Sequence, residues 1–330
     1  MNNQYSAGII GTGSYLPEKI LKNEELEKIM DTSDEWIRTR TGIISRRIAD
    51  KEMATSDLAT KAAINAMKNA NITADELDLI IVATVTPDMA FPSTACIVQK
   101  NIGAVNAAAF DMEAACTGFV YALTIGEQFI KTGFYKKILI IGAEIFSKII
   151  DWEDRNTAVL FGDGAGAVIL VRTEKNTGII SSYLGSDGKD GHVLTLPGGG
   201  SRNPINHKMI EDRLHYLKMD GSEVFKFAVR IIGNAALKVL EKADMTLEDI
   251  DFLIPHQANI RIIEASAKRL KLPMDKVYVN LNKYGNISAA SVPVALDEAV
   301  REKRIKSGDN VLLVAFGAGL TWGSSLIKWI

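Results

Sequence analysis

A repeat within the chain constrains its fold more than any other feature of the sequence. TADELDLIIVAT begins at Thr73, and TLEDIDFLIPHQ begins at Thr246, 173 positions later. The apolar runs of KKILIIGAE and DNVLLVAFG begin at Ile138 and Val311, which are also 173 positions apart. Because unrelated segments rarely keep one offset, the chain is predicted to contain two copies of one structural unit.

The two copies differ in length at one place. GAVILV near Gly166 resembles GSSLIKW near Gly323, but here the offset is only 157. The first copy therefore has about 16 extra residues, at about positions 144–160, which is typical of an inserted surface segment. We predict an N-terminal half at 1–174 and a C-terminal half at 175–330, with the boundary near RTEKNTG.

Each copy has the pattern of an α/β protein. Short apolar strands alternate with amphipathic helices, for example at 56–70 and 223–242. This pattern predicts sheets that are covered on both faces. Two related halves should pack about a pseudo-twofold axis, and a site between such halves is a common outcome.

The composition excludes several classes of protein. A net charge of −2 over 330 residues gives no sign of a nucleic-acid-binding surface. The first residues, MNNQYSAGII, do not resemble a signal peptide, and no apolar run approaches the ~18 residues of a membrane span. Cys96 and Cys116 are the only cysteines, which excludes a disulfide framework and a CxxC zinc site. We expect a cytoplasmic protein with reduced thiols.

Cys116 is the first candidate for chemistry. It lies between the strand-like AAFDM and a helix predicted at 117–131. A thiol at the start of a helix is close to the positive end of the helix dipole, so its pKa is expected to fall. A small cysteine buried in the core is the alternative, and position alone does not decide between the two.

His256 and Asn286 are two further candidates. His256 directly follows the predicted strand DFLIP, at the end where α/β proteins place their chemistry. Asn286, in KYGNISAAS, precedes a helix predicted at 288–303, and by the repeat its loop is the counterpart of the Cys116 loop. Taken alone, Asn286 could equally be a cap or a turn residue.

Together the three residues fit a site that forms a carbon–carbon bond. A thiolate at Cys116 can take an acyl group from a thioester. A neutral imidazole at His256 and the amide of Asn286 can donate hydrogen bonds to the carbonyl of a second thioester. These bonds would stabilise the enolate that forms when a carboxylate leaves as CO₂.

The chain resembles the β-ketoacyl-[acyl-carrier-protein] synthase III family along almost its whole length. The resemblance is carried by TSDEWIRTRTGI, FPSTAC, FDMEAACTGF, FGDGAGAV, EVFKFAV, PHQANIRI, YGNISAAS and AFGAGLTWGS. It implies a thiolase-like fold of five layers, αβαβα, and a homodimer. It also implies a catalytic triad of Cys116, His256 and Asn286.

The resemblance further implies the reaction and its partners. A short acyl-CoA would acylate Cys116, and malonyl-acyl-carrier protein would lose CO₂ and attack the acyl group, with no metal or other cofactor. The backbone N–H groups of Cys116 and Ala318 would form the oxyanion hole, and Phe316 would act as a gate beside the catalytic groups. These are the properties of the enzyme that initiates bacterial fatty-acid synthesis.

The family's binding residues have counterparts in this sequence. Trp36, Arg40 and Arg155 match positions that hold the nucleotide of coenzyme A, with the adenine between Trp36 and Arg155. Asn259 matches a contact to the pantetheine arm. Phe91 matches a residue that crosses the dimer to form the floor of the partner's acyl pocket.

Basic residues would receive the acidic carrier protein. Arg261 directly follows HQAN and matches the family's docking position, and Lys226 lies on a neighbouring predicted helix. A solvated helix face is the alternative explanation for such residues.

Two departures from the family pattern leave the choice of primer open. Ile287 stands in GNIS where the family often has threonine, and FGAGL replaces a run of three glycines and phenylalanine. Both are expected near the acyl pocket. A relative that transfers acyl groups to oxygen or nitrogen, and a non-catalytic partner that binds carrier protein, are the alternative functions.

Overall fold

The computed structural model describes residues 5–174 and 177–330. Its first sheet has the strand order β1-β7-β6-β4-β5, in which β4, β5 and β6 are parallel and β7 runs antiparallel to both of its neighbours. The strands of the first half are β1 (Ser6–Tyr15), β2 (Ile20–Lys22), β3 (Ser45–Arg47), β4 (Leu79–Ala83), β5 (Ala108–Met112), β6 (Lys137–Ile145) and β7 (Asp163–Thr173). Strands β2 and β3 pair separately.

The second sheet repeats four strands of the first in topology and register. Its order β11-β12-β13-β8 matches β4-β6-β7-β1, with one parallel pair followed by two antiparallel pairs, and among the described residues it has no counterpart of β5. Leu79 faces Ile138 in the first sheet, and Phe252 faces Val311 in the second. These are the positions related by the offset of 173. The strands of this half are β8 (Gly178–Ser186), β9 (Leu194–Thr195), β10 (Lys218–Met219), β11 (Phe252–Pro255), β12 (Asn310–Gly317) and β13 (Thr321–Lys328).

The helices complete five layers. Helices α3 and α4 cover the outer face of the first sheet, α5 and α11 lie between the sheets, and α8 and α9 cover the outer face of the second. This confirms the predicted αβαβα fold. The helices are α1 (Asn23–Leu26), α2 (Asp34–Thr41), α3 (Thr55–Ala70), α4 (Thr94–Ile102), α5 (Gly118–Lys131), α6 (Arg155–Ala158), α7 (His207–Glu211), α8 (Gly221–Glu241), α9 (Ile260–Arg269), α10 (Leu281–Tyr284) and α11 (Ser291–Arg301).

The central layer carries the largest core cluster. Phe119, Val120 and Leu123 of α5 are fully buried in a cluster that includes residues of both sheets and of α11. Each such side chain stabilises the fold by about 2 kcal/mol through loss of contact with water. Gly142 on β6 allows the close approach of the second half, because a Cβ there would lie 2.2 Å from the carbonyl oxygen of Ala289.

Both central helices begin through the same kind of turn. A 3-10 turn at Ala115–Thr117 precedes α5, and one at Ser288–Ala290 precedes α11. Their first residues are left-handed, with φ of 46° at Ala115 and 48° at Ser288, and they are again 173 positions apart. The helices therefore begin later than predicted, and α11 ends before the left-handed Lys303, with φ of 57°.

The extra residues of the first half lie between β6 and β7. Gly142 pairs with Gly166, whereas its repeat counterpart Ala315 pairs with Gly323 after a much shorter connection. The inserted segment contains α6. The boundary predicted after residue 174 adjoins residues 175 and 176, which lie outside the described part, so this division stays a prediction. In the described ranges, none of the helices is long and apolar enough to cross a bilayer.

Candidate active site

Two cavities meet at Cys116. The first, of about 840 Å³, includes Thr84, Val85, Phe110, Met112, Ser288 and Ala318 in its lining. The second, of about 750 Å³, includes Trp36, Arg40, Asn259, His256, Asn286 and Phe316. Cys116, Phe161 and Leu194 line both. The thiol is therefore accessible from two sides, and the structure brings the predicted triad into one cavity.

The Cys116 thiol is more deeply buried than its sequence position suggested. It lies in the 3-10 turn, two residues before α5, and is 6% exposed. Burial raises the pKa of this thiol to about 12, although a hydrogen bond with the Ser288 side chain acts in the opposite direction. The expected fall in pKa was wrong for the chain without substrate, because loss of water around the thiolate outweighs the helix dipole.

His256 is a neutral imidazole enclosed beside the thiol. It follows β11, where its backbone N–H donates to the carbonyl of Val314 at 2.8 Å, and the residue is 1% exposed. Burial lowers its pKa to about 3. Neither ring nitrogen has a hydrogen-bond partner among the described residues. The ring packs edge-on against Phe316, with centroids 5.3 Å apart.

Asn286 is held by the inserted segment of the first half. Its backbone N–H donates to the carbonyl of Leu160 at 2.8 Å, and its own carbonyl accepts from Gly162 at 3.0 Å. Its side-chain Oδ1 accepts from the backbone N–H of Ser288 at 2.9 Å. Since the oxygen of the amide is occupied, the NH₂ group is the part available to donate within the cavity.

The end of β12 packs directly against the Cys116 turn. A Cβ added to Gly317 would lie 2.7 Å from the backbone nitrogen of Cys116. Phe316 lines the second cavity, and Ala318 lines the first. The residues on both sides of Gly317 thus reach the place expected for an oxyanion hole and a gate, roles that stay predictions.

Trp36 lies at the second cavity close to two arginines. The guanidinium carbons of Arg40 and Arg155 are 5.4 Å and 5.2 Å from the centre of its ring. Arg40 lines the cavity with Trp36, whereas Arg155 donates to the backbone carbonyl of Asp31 at 2.7 Å. A planar ring between two groups needs about 7 Å. Arg155 must therefore move before an adenine can lie between it and Trp36.

Asn259 lies in the lining of the second cavity, and Arg261 is two residues further along the chain. Asn259 also caps α9, since its Oδ1 accepts from the N–H of Arg261 at 2.9 Å. The guanidinium of Arg261 lies 5.5 Å from the ring centre of Phe225, which also lines the cavity. Lys226 is exposed on α8 and pairs with Glu223 at 2.7 Å.

Phe91 and Ile287 do not line either cavity of this chain. Phe91 is 84% exposed, although its neighbours Met89 and Ala90 line the first cavity. Ile287 is buried in a cluster with Tyr284 and other apolar residues. The expectation that Ile287 borders the acyl pocket was wrong, because its side chain packs into that cluster. Leu320, the other departure, lines the second cavity.

Two parts of the site were not predicted from the sequence. Glu144 is fully buried behind the first cavity, and burial raises its pKa to about 7. A charged residue at the end of an apolar strand was the available signal. The segment between β8 and α8 supplies Leu194, Leu217 and Met219 to the cavities. Its strands β9 and β10 have two residues each, too short to give a periodic pattern.

Comparisons with known proteins identify the family of the chain. Residues 110–188 match the family model 3-Oxoacyl-[acyl-carrier-protein (ACP)] synthase III, and residues 240–329 match the model of its C-terminal part. A β-ketoacyl-[acyl-carrier-protein] synthase III of Caldanaerobacter subterraneus subsp. tengcongensis is 63% identical over 100% of this chain and 99% of its own length. One from Clostridioides difficile is 60% identical over 98% of each chain.

Solved structures give the same result. The crystal structure of 3-oxoacyl-[acyl-carrier-protein] synthase III from Aquifex aeolicus is 49% identical, with a TM-score of 0.91 over 98% of this chain and 100% of that one. The enzyme from Thermus thermophilus is 47% identical, with a TM-score of 0.92 over 98% and 99%. By sequence and by fold, the chain belongs to the β-ketoacyl-[acyl-carrier-protein] synthase III family.

Proposed function

We propose that this enzyme condenses a short acyl-CoA with malonyl-acyl-carrier protein and so initiates bacterial fatty-acid synthesis. The observation that carries the proposal is the position of Cys116 at the junction of two cavities, with His256 and Asn286 in the lining of the second. Its relatives are β-ketoacyl-[acyl-carrier-protein] synthases, the same condensing class. A site with these groups needs no metal or organic cofactor for the steps below.

The first step transfers the acyl group to Cys116. Its sulfur attacks the thioester carbonyl, the C–S bond to coenzyme A breaks, and the thiol proton leaves with the coenzyme A sulfur. The acyl chain occupies the first cavity, whose walls are largely apolar. Because the thiol must stay reduced, the proposal places the enzyme in the cytoplasm.

The second step uses His256 and Asn286. Neutral His256 and the NH₂ group of Asn286 donate to the carbonyl oxygen of the malonyl thioester, which stabilises the enolate as CO₂ leaves. The carbanion then attacks the acyl carbon, the bond to Cys116 breaks, and a 3-oxoacyl thioester leaves with the carrier. The N–H groups of Cys116 and Ala318 are the proposed donors to the oxyanion of both acyl transfers.

The second cavity is the proposed entrance for both substrates. Trp36 and Arg40 at this cavity suit an aromatic base and phosphate groups, with Arg155 and Asn259 as further contacts. The same mouth would receive the carrier arm. Arg261, beside it, is the proposed docking residue for an acidic carrier protein, with Lys226 further along the α8 surface.

A homodimer would complete the acyl pocket. Strand β5 is the edge strand of its sheet, and an unpaired edge is suited to pairing with a second copy. Phe110, Asp111 and Met112 of that strand line the first cavity. Met89 and Ala90 also line this cavity, and the exposed Phe91 follows them directly in the chain. In the proposed dimer Phe91 enters the partner's first cavity and limits primer length.

Mass spectrometry with a panel of acyl-CoAs tests the proposal. One acyl adduct on the Cys116 peptide is expected, and addition of malonyl-carrier protein should discharge it as a 3-oxoacyl product. Cys116→Ala should take no adduct, while Cys96→Ser is the matched control because that second thiol is only half-buried. Absence of any adduct, or discharge only by hydroxyl or amine acceptors, would contradict the proposed condensation.

A further inference from the structure

Behind the wall of the first cavity lies a carboxyl group that the proposed reaction does not use. Glu144, near the end of β6, accepts hydrogen bonds from Thr86 Oγ1 at 2.6 Å, Ser288 Oγ at 3.1 Å and the N–H of Val85 at 3.2 Å. Among the described residues, the interactions that favour the charged form of Glu144 come from hydroxyl groups and from this N–H. A buried carboxyl without a cation nearby is costly, and such residues are typical of functional sites.

Ser288 connects this carboxyl to the proposed triad. Its hydroxyl donates to Glu144 at 3.1 Å, and the residue lines the first cavity together with Cys116. Its backbone N–H donates to Oδ1 of Asn286 at 2.9 Å. One residue thus links the buried carboxyl to the amide that is proposed to stabilise the enolate.

We propose that Glu144 is a positioning residue for the condensation, which acts through Ser288 on Asn286. The inference rests on the proposed function and assigns a role to a residue outside the triad. Ser288 is the contact residue, and Glu144 reaches the reacting atoms only through it.

The physical reason is the hydrogen bond from the Ser288 hydroxyl to Glu144. It fixes the position of Ser288, whose backbone N–H in turn holds the side-chain oxygen of Asn286. The bond to Glu144 also ties the turn at Ser288–Ala290 to β6 of the first half. Loss of Glu144 or of the hydroxyl would leave this turn, and with it Asn286, less well fixed.

Ser288→Ala and Glu144→Gln test the proposal separately and together. CO₂ release from malonyl-carrier protein is measured in the Cys116→Ala background, and acylation is measured with Cys116 present. Each variant should lower kcat for CO₂ release about 10-fold, the effect of one lost hydrogen bond, with little change in KM. The double variant should be no worse than the poorer single one, since both act through one contact.

Thr86→Val is the matched control. It removes a hydrogen bond to the same carboxyl on the side away from Ser288, so it should lower Tm and leave kcat unchanged. Alanine at 288 is compatible with the backbone, because the repeat counterpart Ala115 has φ of 46° there. If Glu144→Gln does not fold, kcat for CO₂ release is compared between Ser288→Ala and Thr86→Val, and only Ser288→Ala should lower it.

Three results would overturn the positioning role: unchanged kcat in folded Ser288→Ala, additive losses in the double variant, or an equal loss of kcat in Thr86→Val. The proposed function is judged by other data. A wild-type chain that neither takes an acyl group nor releases CO₂ would overturn that function and the positioning role together. Normal wild-type condensation with unaffected Ser288→Ala would overturn the positioning role alone.

Discussion

At the scale of single residues, burial of His256 predicts how the reaction responds to pH. An ordinary histidine gains a proton below about pH 6.5, but burial lowers the pKa of His256 to about 3. The imidazole therefore stays neutral between pH 8 and pH 5. CO₂ release by Cys116→Ala is expected to show no decline through pH 6.5, measured at saturating malonyl-carrier protein. A tenfold fall per pH unit below 6.5 would contradict a neutral, pH-insensitive His256.

Asn286→Asp separates the chemical role of the amide from its role in the turn. Aspartate keeps the oxygen that accepts from Ser288 N–H but removes the NH₂ donor. We expect normal acylation of Cys116 and a loss of about 10²–10³-fold in CO₂ release. Quantified adducts and trapped CO₂ are the measurements.

Asn286→Ala is the companion variant, because it removes both the donor and the acceptor. It should also acylate and fail to release CO₂, with a lower Tm than Asn286→Asp. Loss of acylation in both variants would mean that Asn286 serves the structure of the loop rather than the decarboxylation.

At the scale of elements, the end of β12 and the Cys116 turn form one unit. Gly317 has extended backbone angles that any residue can adopt, so the limit is space: a Cβ would lie 2.7 Å from Cys116 N and 3.2 Å from Thr117 N. Gly317→Ala should shift the turn and lower the rate of acylation by about 10-fold or more. Gly188→Ala is the control, since a Cβ there meets nothing within 4 Å. Equal rates in both variants would show that the turn tolerates the shift.

The elements themselves were largely predictable from sequence periodicity. Helices predicted at 56–70 and 223–242 are α3 and α8, with boundaries that differ by one or two residues. The start of α11 was not predictable, because it lies three residues after the predicted one, beyond a 3-10 turn whose first residue, Ser288, is left-handed. Helix α5 begins one residue later than predicted, after the same kind of turn at Ala115. Neither residue type signals that conformation, and the close packing of the two turns across the halves accounts for it.

At the scale of the whole molecule, the proposed dimer predicts an effect of one chain on its partner. Mixed dimers are purified in which one chain carries Cys116→Ala and Phe91→Ala and its partner is wild type. Only the wild-type chain can be acylated, and it should accept longer primers than the ordinary dimer, because the shortened side chain forms its pocket floor. Adduct masses from competing acyl-CoAs give the preference.

The control mixed dimer moves the substitution to the active chain. One chain carries Cys116→Ala alone, and its partner carries Phe91→Ala with an intact Cys116. Primer preference should then be that of wild type. A shift towards longer primers in this arrangement, and not in the first, would mean that Phe91 acts within its own chain.

The sequence by itself determined the duplication, the α/β class and the residue types of the proposed triad. Repeats and periodicity are local or fixed-offset properties of the chain, so the offset of 173 was enough to pair the Cys116 loop with that of Asn286. Only the tertiary structure decided the electrostatics of the site. Burial raises the pKa of Cys116, which is opposite to the predicted direction. Burial lowers the pKa of His256, which agrees with the neutral imidazole that was predicted. Glu144 lies at the site because packing of the two halves places it beside Ser288. Burial of these groups away from water depends on contacts between distant parts of the chain, so only the tertiary structure determines their pKa values.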